Sequence, residues 1–223
     1  MTRISFHQKL ERLRERLLEM AGLAEQAVQF ALDAHLAAEP ATLLRLRRNE
    51  VAINLADREI DQMAMDLLAM EQPMARDLRF ILTAIKIHSD LERIGDQSMA
   101  IALLGEELAQ DQRFTLPVDI PRMAALSIAM LRTALDALTR SDAELAATVL
   151  AMDDKVDEMN RRFKQILLGC ISQDSTAAHA AVNLLLIAKN LERIADHATN
   201  MAEGVIFWVR GADVRHGSER QAG

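Results

Sequence analysis

The chain has 223 residues, enough for one large domain or two of about 100 residues each. Half of them are hydrophobic and 26% charged, while Gly (8) and Pro (4) are scarce, which favours long helices over a turn-rich β architecture. A net charge of −7 and an aromatic set of 6 Phe, 1 Trp and no Tyr leave little to attract phosphates or stack on bases, so direct nucleic-acid binding is excluded as an expectation.

One cysteine, Cys170, rules out an intramolecular disulfide framework or a multi-cysteine zinc site, fits a reducing compartment, and reads as a buried small hydrophobe. The longest uncharged run, Ser175 to Ala188, is 14 residues and too polar to cross a bilayer. The N-terminus passes at once into the charged stretch Lys9 to Arg16, without the apolar core of a secretory signal, and cytoplasmic residence is expected.

Apolar residues recur at helical spacing, and the prolines fall between those stretches. A capping box, Ser5-x-x-Gln8, predicts the start of a first helix that runs to about Ala38, where Glu39-Pro40 turns the chain. A second helix covers about 41–71. Pro73 opens a third, which runs to about Gln110. Residues 1–112 thus form one three-helix unit, and 113–121, with Pro117 and Pro121, form a linker at the chain's midpoint. The second unit, 122–210, repeats the plan. Its fourth helix spans about Arg122 to Thr139; a fifth starts at the box Ser141-x-x-Glu144 and ends near Cys170; a sixth, capped by Asp174 or Ser175, runs to about Val209. Residues 211–223 carry no periodicity and read as a frayed tail.

Leu91-Glu-Arg-Ile-Gly-Asp96 matches Leu191-Glu-Arg-Ile-Ala-Asp196 at five of six positions, 100 residues apart. Asp57, Asp61 and Met63 recur as Asp153, Asp157 and Met159, 96 residues apart. Two ordered matches at nearly equal offsets indicate duplication, and short connections make neighbouring helices antiparallel. The fold class is therefore all-α, two tandem three-helix bundles in a pseudo-two-fold relation.

Four acidic pairs stand in the repeat register: Asp57/Asp61, Glu92/Asp96, Asp153/Asp157 and Glu192/Asp196, each at i, i+4 and so on one helix face. Spacing alone says little, because the chain holds eight such pairs where its composition gives about five by chance. Recurrence at matching positions says more, since like charges at i, i+4 cost about 0.2–0.5 kcal/mol that a bound cation would reverse. Each pair lies on a shoulder of its helix's apolar stripe, about 60° to 140° from the centre. All four are offset in the same rotational sense, so on antiparallel neighbours the shoulders either face each other, converging four carboxylates, or face apart. Converged hard oxygen ligands suit Fe, Mn, Mg or Zn, and Asn200, one turn further along, adds a candidate amide oxygen whose counterpart is Ala100. The competing reading is a solvated surface neutralised by Arg58, Arg93, Lys155 and Arg193, with His88 and His197 as ordinary boundary residues.

At Gln72-Pro-Met-Ala-Arg-Asp-Leu-Arg79, Asp90-Leu-Glu-Arg-Ile-Gly-Asp96 and Lys189-Asn-Leu-Glu-Arg-Ile-Ala-Asp-His-Ala-Thr-Asn200 the chain closely resembles the PhoU family, and the likeness covers nearly all of it. The resemblance implies two three-helix repeats carrying E/D-x-x-x-D motifs that hold a multinuclear metal cluster on the bundle surface, which would assign Asp57, Asp61, Glu92, Asp96, Asp153, Asp157, Glu192 and Asp196 as ligands. It implies a regulator, without catalysis, that connects the ATPase-driven phosphate ABC transporter to the phosphate sensor histidine kinase and represses phosphate-starvation genes. A homodimer that meets the membrane only through partners is implied as well. The second unit has no counterpart of Gln72 to Arg79. Against this stand a di-iron or di-manganese bundle enzyme, disfavoured because the chain has no Glu-x-x-His, and a purely structural scaffold.

Overall fold

A computed structural model describes residues 3–37, 40–71, 73–110 and 116–214. Within them the chain forms α1 (Arg3–Ala37), α2 (Pro40–Glu71), α3 (Ala75–Gln110), α4 (Ile120–Arg140), α5 (Ala143–Gln173), a single 3-10 turn at Ser175–Ala177, and α6 (Ala178–Arg210). Helices α1, α2 and α3 pack on one another, as do α4, α5 and α6, and the two bundles meet chiefly along α3 and α6 with a smaller contact of α1 on α4. The core is an aliphatic and alanine interior that includes Leu17, Ile53, Ile60 and Leu91 in the first bundle and Val149, Val156, Leu191 and Ile194 in the second. Small residues such as Ala24, Ala134 and Ala198 let the helix axes approach closely. No helix among the described residues is long and apolar enough to cross a membrane.

The boundaries differ from expectation in ways with physical causes. Helix α1 already runs from Arg3, so Ser5 lies inside it and the Ser5–Gln8 box does not set its start. The fourth connection also works differently. Ser141 adopts a left-handed conformation (φ 54°) and ends α4, with its N–H donating to Leu138 O, while Asp142 caps α5 by accepting from the N–H groups of Glu144 and Leu145. A connection of two residues has no room for Ser141 to serve both helices, and Asp is as good an N-cap as Ser. Glu144 is turned to an ion pair with Arg210 rather than back to the cap. Pro73 precedes α3 by two residues instead of opening it, and Ala75 holds a positive φ of 45° there. Pro40 lies inside α2's first turn, where its missing N–H costs nothing. Asp174 caps the intervening 3-10 turn through Thr176 rather than α6, whose N-cap Ala177 offers no side-chain bond, and α5 runs past Cys170 to Gln173. Cys170 is half-buried rather than buried. Ala38 and Glu39, Gln72, linker residues 111–115 and tail residues 215–223 lie outside the described residues.

The duplication extends to the first helix of each bundle. Buried Leu13, Met20, Ala24, Ala27 and Val28 recur, 110 residues later, as buried Met123, Met130, Ala134, Ala137 and Leu138.

Candidate metal centre

The antiparallel pair α5 and α6 turns its two shoulders toward each other. One carboxylate oxygen from each of Asp157, Glu192 and Asp196 falls within 4.8 Å of the other two. All three side chains are half-buried, at the edge of the bundle. Asp153 stands alongside, accepting a hydrogen bond from Thr199 Oγ1 at 3.2 Å. Burial, and then repulsion by Glu192, Asp153 and Asp157, pushes the Asp196 carboxyl up to about 6. Burial also raises Asp153, against the opposing hydrogen bond from Thr199 and reinforced by Asp157 and other neighbouring acids. Lys189 pairs with Glu192. Among the described residues none of Arg58, Arg93, Lys155 and Arg193 forms an ion pair with these acids, and the Arg58 guanidinium bonds instead to the Asn54 carbonyl. Arg93 acts on Glu92 through its charge alone, opposing the rise that burial and the neighbouring acids cause there.

A cluster in which burial and then neighbouring negative charge hold up the protons of Asp196 and Asp153 is chemically suited to a cation. Three hard oxygen donors, a fourth carboxylate within electrostatic reach and an open side for water fit Mg, Mn, Fe or Zn. No histidine joins this group among the described residues, so it lacks the Glu-x-x-His ligation of di-iron bundles.

The first repeat places the matching residues differently. Asp57 Oδ1 lies 2.6 Å from Nδ1 of buried His88, and the Nε2 of that ring has no partner. Glu92 is raised by burial, then by Asp96 and Asp57, which shows that the α2 and α3 shoulders also face each other. However, Asp96 is exposed, Asp61 is half-buried, and no three ligand atoms converge there among the described residues. Asn200 Nδ2 lies 3.4 Å from Asp90 Oδ1 on α3, which also bonds His197 Nδ1 at 2.8 Å. His88 and His197 are thus bridging residues between helices rather than bystanders. Only the helix pairing reveals what Thr199 and Asp90 face, whereas Lys189 stands at i, i+3 from Glu192 on the same helix, a spacing legible in the sequence.

The PhoU domain family model matches twice, at residues 17–104 and 120–205. The chain is 36% identical over 212 residues to a Pseudomonas aeruginosa phosphate-specific transport system accessory protein PhoU homolog, covering 95% of this chain and 88% of that one. It is 29% identical to the Escherichia coli phosphate-specific transport system accessory protein PhoU, covering 95% and 88%. The crystal structure of PhoU from Pseudomonas aeruginosa superposes with a TM-score of 0.88 at 35% identity, covering 93% of this chain and all of that one. That of the phosphate transport system regulatory protein PhoU from Streptococcus pneumoniae gives 0.85 at 25% identity, covering 94% and 99%. Two matched domains, in two three-helix bundles that superpose on PhoU structures along almost their whole length, place the chain in the PhoU family.

Proposed function

We propose that this chain is a negative regulator of phosphate-starvation signalling, coupling the ATPase of a phosphate-specific ABC transporter to a phosphate sensor histidine kinase and modulating phosphate uptake. It acts in the cytoplasm as a homodimer, by contact rather than catalysis, and meets the membrane only through those partners. The observation that carries the reading is likeness along 95% of the chain to proteins named as accessories of phosphate-specific transport. A half-buried acidic cluster without a histidine ligand supports binding over turnover. Asp157, Glu192 and Asp196, with Asp153 beside them, are the residues that would hold a metal ion, and the ion would supply positive charge that offsets their mutual repulsion.

The test is genetic. Deleting the gene should release phosphate-starvation genes in phosphate-rich medium, and a plasmid copy should restore repression. Continued full repression in the deletion strain overturns the assignment.

A further inference from the structure

The duplicated bundles also differ in the groove between the first and second helix of each. In the first bundle this groove is lined by charge: Glu15, Arg16 and Glu19 of α1 face Glu59 of α2. Arg16 spans it, donating to Glu19 Oε2 at 2.8 Å and to Glu59 Oε2 at 2.7 Å. In the second bundle the residues 110 positions after Glu15, Arg16 and Glu19 are Ala125, Leu126 and Ala129, and all three line the matching groove between α4 and α5. Met159, Phe163 and Ile166 complete its floor. No counterpart of the Arg16 bridge spans this groove among the described residues, and a cleft of about 740 Å³ with an apolar floor lies between α4 and α5.

Its rim is basic. Arg122, Lys155 and Arg162 edge the cleft, and none of their charged groups makes an ion pair or hydrogen bond among the described residues. Of the two acids nearby, Asp119 is committed to the α4 N-terminus, where Oδ1 accepts from the Arg122 N–H at 3.1 Å, which leaves Glu158. Three unpaired cations around an apolar floor are unusual on a chain with a net charge of −7. Along α5 the lining runs from Lys155 to Ile166, about 16 Å at 1.5 Å per residue, which is three helical turns.

We propose that the α4–α5 groove is a docking site for an amphipathic helix of a partner protein that inserts apolar side chains onto Leu126, Met159 and Phe163 and sets flanking carboxylates against Arg122, Lys155 and Arg162. The groove has the length of a helix-in-groove interface, and its basic rim is complementary to carboxylates flanking the apolar face of the occupant. The first bundle, with its groove bridged by Arg16, does not share the site.

The experiment uses the full chain and a synthetic helical peptide of about 14 residues, with Leu and Phe at i, i+3 and i+7 anchor positions and glutamates beside them. A twin peptide carries lysines in place of the glutamates. Amide chemical shifts are expected to move on α4 and α5, with the glutamate peptide binding at least tenfold tighter than its twin. R122E/R162E should reverse that order, a readout that a merely misfolded variant would not give. A125E/L126R/A129E, which installs the first bundle's residues, should abolish binding of both. Absence of binding, shifts elsewhere, indifference to peptide charge, or a groove found covered by residues 111–115 or by a second copy overturns the proposal. Peptide binding involves no phosphate signalling, so failure here leaves the regulatory role standing, and the reverse holds too.

Discussion

His88 Nδ1 lies 2.6 Å from Asp57 Oδ1, a bond across α2 and α3 that has no counterpart in the second bundle. There Ala188 stands at the position of His88, and Asp153, the equivalent of Asp57, is held by Thr199 instead. One repeat therefore holds a would-be ligand against a buried histidine, while in the other three carboxylates converge. The two candidate sites are unequal by construction.

Metal affinity should follow that inequality. Asp196→Asn is expected to weaken Mn²⁺ binding at least tenfold, because it removes one of three converging oxygens and the repulsion that favours a cation. Asp57→Asn should leave the tighter binding step within about threefold, as that oxygen already faces His88. Calorimetric titration of metal-stripped protein checks both; equal loss in the two variants would show that the first bundle holds the stronger site.

Stability should depend on pH in a defined window. Asp196 keeps its proton up to about 6 in the folded chain, against an ordinary value of 3.8. Between those values the folded state binds more protons than the unfolded chain, so this contribution is fully present below pH 3.8 and is lost as pH rises through about 6. The change is about 1–2 kcal/mol once solvent screening of a half-exposed group is allowed for. Asp196→Asn should therefore raise the metal-free Tm at pH 7 and flatten its decline between pH 4 and 6. Denaturant melts across that range measure it, and an unchanged slope in the variant would count against the burial and repulsion described.

Packing between the second and third helices sets up a complementary exchange. A Cβ on Gly95 would lie 3.1 Å from Ile53 Cδ1, whereas the equivalent pair in the second bundle is Val149 and Ala195. Ala is worth about 1 kcal/mol over Gly inside a helix, but here the contact opposes the gain. Gly95→Ala should accordingly stabilise by about 1 kcal/mol when Ile53→Val is also present and by clearly less in the native background. A double-mutant cycle with no coupling would show that Ile53 yields freely.

The α4–α5 turn gives opposite signs at adjacent residues. Asp142→Ala removes a cap that accepts two N–H groups and should cost about 0.5–2 kcal/mol. Ser141→Gly relieves a left-handed residue, worth about 1–2 kcal/mol, against about 0.4–1 kcal/mol of added unfolded-chain entropy, and should give a small net gain. Paired urea denaturation curves decide, and a loss at Ser141 with neutrality at Asp142 would restore the Ser141 box.

The sequence by itself determined the helices and the duplication, because apolar period, proline placement and the LERI-x-D recurrence are local signals that every folded arrangement of the chain must respect. It also determined which acids share a face, since i and i+4 are neighbours on any helix. Cap identity at Ser141 and Asp142 escaped it, because two adequate capping residues stand side by side and only the length of the turn chooses. The tertiary structure alone decided that Asp157, Glu192 and Asp196 meet, that Asp57 and Asn200 turn to His88 and Asp90, and that the groove bridged by Arg16 in one bundle lies open in the other. Each of those outcomes depends on how two helices rotate and slide against each other, which core packing sets through buried residues such as Ile60, Val156 and Leu191.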